Sequence, residues 1–116
     1  MPPEPTFREL RRAKLAQRLP GTLADLTGPA HGVVELPLHI AWSGLCRFDL
    51  GHPKLRMGLY RIVLAEGQRE DVVRLLDRDL LVAQWPVLRT LIGRDVRDAW
   101  ESAFPELTAV AERCPA

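Results

Sequence analysis

The apolar positions between Pro53 and Leu76, in PKLRMGLYRIVLAEGQREDVVRLL, recur at helical spacing. Leu55, Leu59, Ile62 and Val63 form one face, and Met57, Tyr60 and Leu64 form a second beside it. Pro53 suits a first helical turn, where its missing N–H has no partner to lose, and Gly67 is the usual residue just past a helix end. The spacing therefore predicts a helix that starts at Pro53 and stops at Gly67. A helix apolar over so much of its girth is either deeply buried or shared between the core and a partner. In a chain this short the second option marks Met57, Tyr60 and Leu64 as candidate partner-binding residues.

Further helices follow. Gln68 to Leu76 carries Glu70 and Asp71 in its first turn, where carboxylates suit the helix dipole, and Val72, Val73 and Leu76 face inward. Asp77 reads as the cap of a helix from Arg78 to Trp85, which Pro86 breaks. From Asp95 to Phe104, Val96, Ala99, Trp100, Ala103 and Phe104 make an amphipathic stripe. Pro105 either ends that helix or begins a weak last one, so 106–116 reads as a tail, weakly helical or frayed.

Upstream, residues 1–5 hold three prolines and read as a disordered N-terminus. Thr6 and Glu9 form a capping-box pattern that opens a helix to Arg18, closed by Pro20-Gly21. Its apolar stripe is thin, Phe7, Leu10, Leu15 and Leu19 among Arg8, Arg11, Arg12, Lys14 and Arg18. Thr22 to Leu26 allows one short turn, and Thr27-Gly28-Pro29 is loop chemistry. From Val33 to Trp42 the pattern changes to period two, with Val34, Leu36, Leu38 and Ile40 on one face. Pro37 in mid-run restricts it to an edge. The fold class that follows is mainly α: a single helical domain over 6–105 of four to six helices, with one extended segment or minor two-stranded ribbon around 33–50.

Composition narrows the function classes. The 116 residues carry a net charge of +1, so a polyanion partner would need a local basic patch. The first helix is that patch: Arg8, Arg11, Arg12 and Lys14 are its possible nucleic-acid contacts, with an acidic partner or plain solvation as the competing readings. The longest uncharged runs fall far short of the ~20 apolar residues of a membrane span. The opening MPPEPTFREL lacks the pattern of a secretory signal, which leaves the cytoplasm as the expected location and Cys46 and Cys114 as reduced thiols. Arginine far outnumbers lysine and asparagine is absent, a bias of GC-rich bacterial coding.

No catalytic constellation emerges. His31, His39, His52, Cys46 and Cys114 lack metal-ligand spacing, and no glycine elbow frames Ser43 or Cys46 with a histidine. The pairs Glu70-Asp71, Asp77/Asp79 and Asp95/Asp98 sit at helix starts among arginines, as caps and ion pairs do. Single glycines make no phosphate loop. Neither catalytic residues nor a cofactor or metal is expected. A helix-turn-helix centred on Gly67 would set Glu66 and Gln68 where that motif packs apolar groups, and would present Glu70 and Asp71 to the DNA. Of the three tryptophans, Trp85 and Trp100 suit core anchors, while Trp42 beside the Ser43-Gly44 turn joins the candidate partner-binding residues.

Trp42-Ser43-Gly44, Phe48-Asp49-Leu50, the run Leu59 to Gly67, Arg78-Asp79-Leu80-Leu81, Trp85-Pro86, Val96-Arg97 and Trp100 together resemble a group of small actinobacterial proteins. Members of that group are encoded beside nucleotidyltransferase-like toxins of the abortive-infection type. The resemblance covers about 36–104 and is strongest in the tyrosine-containing helix that ends in Glu66-Gly67. It implies an antitoxin-like or adaptor protein that binds a protein partner, with no catalytic residues to carry across. The basic N-terminal helix lies outside it. The other reading is a small DNA-binding transcriptional regulator that uses that helix.

Overall fold

In a computed structural model of the chain, residues 6–41 and 46–113 are described. They form six helices and one ribbon. Helix α1 (Phe7–Arg18) is followed by a short 3-10 turn (Leu23–Asp25) and strands β1 (Val33–Glu35) and β2 (Arg47–Asp49). Helices α2 (Pro53–Glu66), α3 (Arg69–Leu75), α4 (Arg78–Leu88), α5 (Arg94–Ala103) and α6 (Pro105–Arg113) complete the chain. The expected disorder of 1–5 lies outside the described residues.

Local chemistry starts the helices where the sequence says it should. The Glu9 N–H donates to Thr6 Oγ1 at 3.2 Å while the Thr6 N–H donates to the Glu9 carboxylate at 3.1 Å, satisfying two otherwise orphaned donors of α1. Asp77 caps α4 by accepting from the Leu80 N–H at 3.0 Å. Asp71 does the reciprocal service for α3, accepting from the Gln68 N–H at 3.0 Å.

The segment around 33–50 is a two-stranded antiparallel ribbon, with Val33 opposite Asp49, Val34 opposite Phe48 and Glu35 opposite Arg47. Val34 and Phe48 point into the core and their neighbours point out. The period-two pattern fails after Leu36. There the Ile40 and Ala41 N–H groups both donate to the Pro37 carbonyl at 3.0 Å, a turn that buries Ile40 and leaves Leu38 91% exposed.

One further boundary differs from expectation. Helix α4 does not break at Pro86 but runs through it to Leu88. The ring deprives the Val82 carbonyl of its i+4 donor, yet Leu81, Trp85 and Leu88 are all fully buried, and their packing holds the helix across the gap. Pro105 opens α6, whose Leu107 is fully buried where α6 crosses α4 and α5. The core runs from Phe48 and Leu50 through Leu59, Tyr60 and Val63 of α2 to Leu76, Leu81, Trp85 and Leu88.

Candidate interaction surface

Both apolar faces of α2 have their central residues buried within the chain. Leu59 and Val63 are buried on one side, and on the other Tyr60 is fully buried and Leu64 nearly so. Two neighbours close that second face. At the junction of α3 and α4 the Asp77 N–H donates to the Tyr60 hydroxyl at 2.9 Å, and the hydroxyl lies 3.5 Å from the Asp77 carbonyl. Burial pushes the Tyr60 pKa up to about 12, since its phenolate would lose water, and this outweighs the opposing pull of the Asp77 backbone hydrogen bond and the Arg56 cation. On the α1 side, Leu15, Leu64, Val72 and Trp100 line an internal gap of only about 10 Å³. Met57 is half-buried and packs on the same core. Of the partner surface expected at Met57, Tyr60 and Leu64, Tyr60 is thus covered by the chain's own α3–α4 junction and Leu64 by α1, while Met57 keeps part of its surface exposed. Trp42 lies outside the described residues.

A pair of arginines fixes α1 against the junction of α2 and α3. The Arg18 Nε donates to the Gly67 carbonyl at 2.7 Å and its Nη2 to the Leu64 carbonyl at 3.3 Å, capping the end of α2. In the other direction the Arg69 Nε donates to the Leu19 carbonyl at 2.8 Å, just past the end of α1. Burial lowers the Arg18 pKa, with Glu66 pulling the other way. A side chain at Gly67 would bring its Cβ to 2.7 Å from the Val63 carbonyl oxygen, so this close approach requires glycine.

The last turns of α1 are therefore anchored, and the first turns are not covered. Leu15 is buried and Leu19 half-buried, whereas Phe7 is 82% and Leu10 50% exposed. The thin stripe of the sequence is split, its C-terminal half serving the core and its N-terminal half facing water. Phe7, Leu10, Arg11 and Lys14 bound an open hollow of about 220 Å³. The four candidate nucleic-acid contacts, Arg8, Arg11, Arg12 and Lys14, are all exposed. Of these, Arg11 pairs with Asp95 of α5 at 3.2 Å; the other three make no ion pair among the described residues. On the opposite flank Arg12 and Ala16 face Asp98, Ala99 and Ala103 of α5 across a shallow groove of about 450 Å³.

No family model matches the chain, and neither a curated protein nor a solved structure is similar to it.

The remaining polar clusters tie the fold together. Asp71, nearly buried, accepts from His39 at 2.9 Å as well as from the Gln68 N–H, with Arg74 at 3.9 Å. Burial works to raise the Asp71 pKa, but the His39 hydrogen bond, the Gln68 N–H and Arg74 outweigh it and hold the carboxyl below its ordinary value. Glu101 of α5 accepts from Trp85 Nε1 at 2.9 Å and from Arg89 Nε at 2.8 Å, joining α5 to α4. Arg89 holds the Glu101 pKa down against its partial burial, with help from Trp85. Sequence reasoning missed Glu101; the one available signal was that a buried tryptophan needs an acceptor for its N–H. Among the described residues no group of three or more His, Cys, Asp or Glu side chains could hold a metal ion, and no helix is long and apolar enough to cross a membrane.

Proposed function

We propose that this chain is a non-enzymatic protein-interaction module, the antitoxin-like partner of a nucleotidyltransferase-type toxin, and that it meets its partner with the outer side of α1. One observation carries the choice of surface. Phe7 and Leu10 stand in water on a helix whose last turns are locked to the body. Burying such side chains is worth roughly 1.5–3 kcal/mol each, and a partner surface recovers what the isolated chain forgoes. The class of partner comes from the resemblance over 36–104, and the pair acts in the cytoplasm of its bacterium.

Coexpression with the product of the neighbouring gene, followed by affinity capture and gel filtration, tests the role. Co-elution as a complex supports it; separate elution, with this chain a monomer by itself, refutes it.

A second reading has its own support. Arg8, Arg12 and Lys14 are exposed cations free of ion pairs among the described residues, as a phosphate-contacting helix requires. A DNA-binding regulator built on them would bind duplex in a salt-dependent way, and reversing Arg8, Arg11 and Arg12 to glutamate would abolish the binding. Absence of any mobility shift at low salt removes this reading.

A further inference from the structure

We infer that the outer side of α1 is a docking site for an acidic amphipathic helix of the partner protein, which seats an apolar side chain between Phe7 and Leu10 and sets carboxylates against Lys14 and Arg11. The inference rests on the interaction-module reading and specifies what occupies the surface.

Charge is the first argument. Helix α1 carries five basic residues and one acid, Glu9, whose carboxylate is already engaged by the Thr6 N–H. The rest of the chain holds fourteen acids against eleven bases, so the basic excess is concentrated in this one helix. A partner that meets α1 is therefore selected for negative charge.

Geometry is the second. Phe7, Leu10 and Lys14 are spaced i, i+3 and i+7, which lines them along one side of the helix, and Arg11 closes the hollow between them. The Lys14 stem supplies an apolar wall and keeps its ammonium at the rim. Arg11 is held in place by Asp95 and still exposes more than half of its side chain, so its guanidinium has donors to spare for a second carboxylate. The surface is presented rigidly, because Arg18 and Arg69 pin the far end of the helix and Leu15 is buried beneath it. An apolar pair ringed by fixed cations matches a helix whose leucine-type ridge is flanked by glutamate or aspartate.

Other occupants fit less well. A phosphate backbone would satisfy the cations and leave Leu10 with nothing to bury against. A second copy of this chain, docked about a two-fold axis, would bring the same patch onto itself and oppose Arg11 and Lys14 with their own counterparts.

The test titrates the full chain with a synthetic helical peptide that has leucines at i, i+3, i+4 and i+7 and glutamates beside them. A scrambled peptide of equal composition, a duplex oligonucleotide and phosphatidylserine vesicles serve as competing probes. The designed peptide should bind, and more weakly as salt rises. Phe7→Ser, Leu10→Ser and Lys14→Glu should each weaken it by about tenfold or more, with the circular dichroism spectrum and melting midpoint unchanged because all three side chains are exposed. Equal binding of the scrambled peptide, tighter binding of the oligonucleotide or vesicles, indifference to Phe7→Ser, or no peptide binding would overturn the inference. So would a concentration-dependent dimer that Phe7→Ser dissolves. The two proposals fail separately. If a Phe7→Ser/Leu10→Ser double variant still co-elutes with the neighbouring gene's product, the antitoxin-like role stands and this docking site falls; peptide binding without co-elution gives the reverse.

Discussion

Tyr60 is the chain's single tyrosine, and it is fully buried with its hydroxyl accepting from a backbone N–H seventeen residues on. Tyr60→Phe removes that acceptor and leaves the Asp77 N–H unsatisfied in the interior, which costs about 1–3 kcal/mol by chemical denaturation. Because burial raises the folded pKa from 10.0 to about 12, the stability from keeping Tyr60 neutral is fully present below pH 10 and is lost as the pH rises towards 12. Tyrosinate absorbance should therefore appear only near pH 12, and a midpoint at 10 with the fold intact would contradict the burial. At the acid end the sign reverses. Glu101 and Asp71 titrate below their ordinary values of 4.5 and 3.8, so their contribution is present above those values and disappears as the pH falls through the lowered folded pKa values. Glu101→Gln, which loses the charge-assisted bond to Arg89, should flatten part of that acid loss in a denaturation series. The caps at Thr6 and Asp77 were legible in the sequence because donor and acceptor lie within three residues. The Glu101, His39–Asp71 and Tyr60–Asp77 contacts were not, since each joins residues 12 to 32 positions apart.

Among the elements, the least forgiving joint is the loop that pairs with the end of α3. The Thr27 N–H donates to the Val73 carbonyl at 2.8 Å and the Gly28 N–H to the Leu76 carbonyl at 2.9 Å. A Cβ at Gly28 would lie 2.4 Å from the Leu75 carbonyl carbon, a clash with backbone that no side-chain rotation relieves. Gly28→Ala should therefore destabilise the chain by about 2 kcal/mol or more, read as a lower urea midpoint at unchanged slope. The sequence marked Thr27-Gly28-Pro29 as loop, but nothing local told that this loop docks on a helix end. Pro86 shows the same limit from the other side. Propensity alone ends α4 there, and three fully buried side chains, Leu81, Trp85 and Leu88, carry the helix past it.

For the molecule as a whole, α6 is the cover that completes the core. Leu107 is fully buried against α4 and α5, and the Arg78 guanidinium, its pKa raised by the Glu106 hydrogen bond, ties the start of α4 to α6 at 2.7 Å. Leu107→Ala should cost about 2–5 kcal/mol in equilibrium unfolding, whereas Arg78→Ala at the exposed ion pair should shift the midpoint far less. A Leu107 variant as stable as the parent would show that the segment after Phe104 is dispensable, as a frayed tail would be.

The sequence by itself determined that the chain is mainly helical, where most helices begin and end, and that its strand residues fall within 33–50. Those features come from periodicity and from caps that span a single turn, and such signals survive without knowledge of the neighbours. It also showed that α2 has two apolar faces and α1 a thin one. Only the tertiary structure decided which of these faces is covered. Tyr60 and Leu64 on the second face of α2 are covered by the α3–α4 junction and by α1, while Phe7 and Leu10 on the first turns of α1, which the pattern alone presented as a seam like any other, stand exposed. Covering depends on which elements arrive from distant parts of the chain, and no local pattern of polar and apolar residues encodes that arrival.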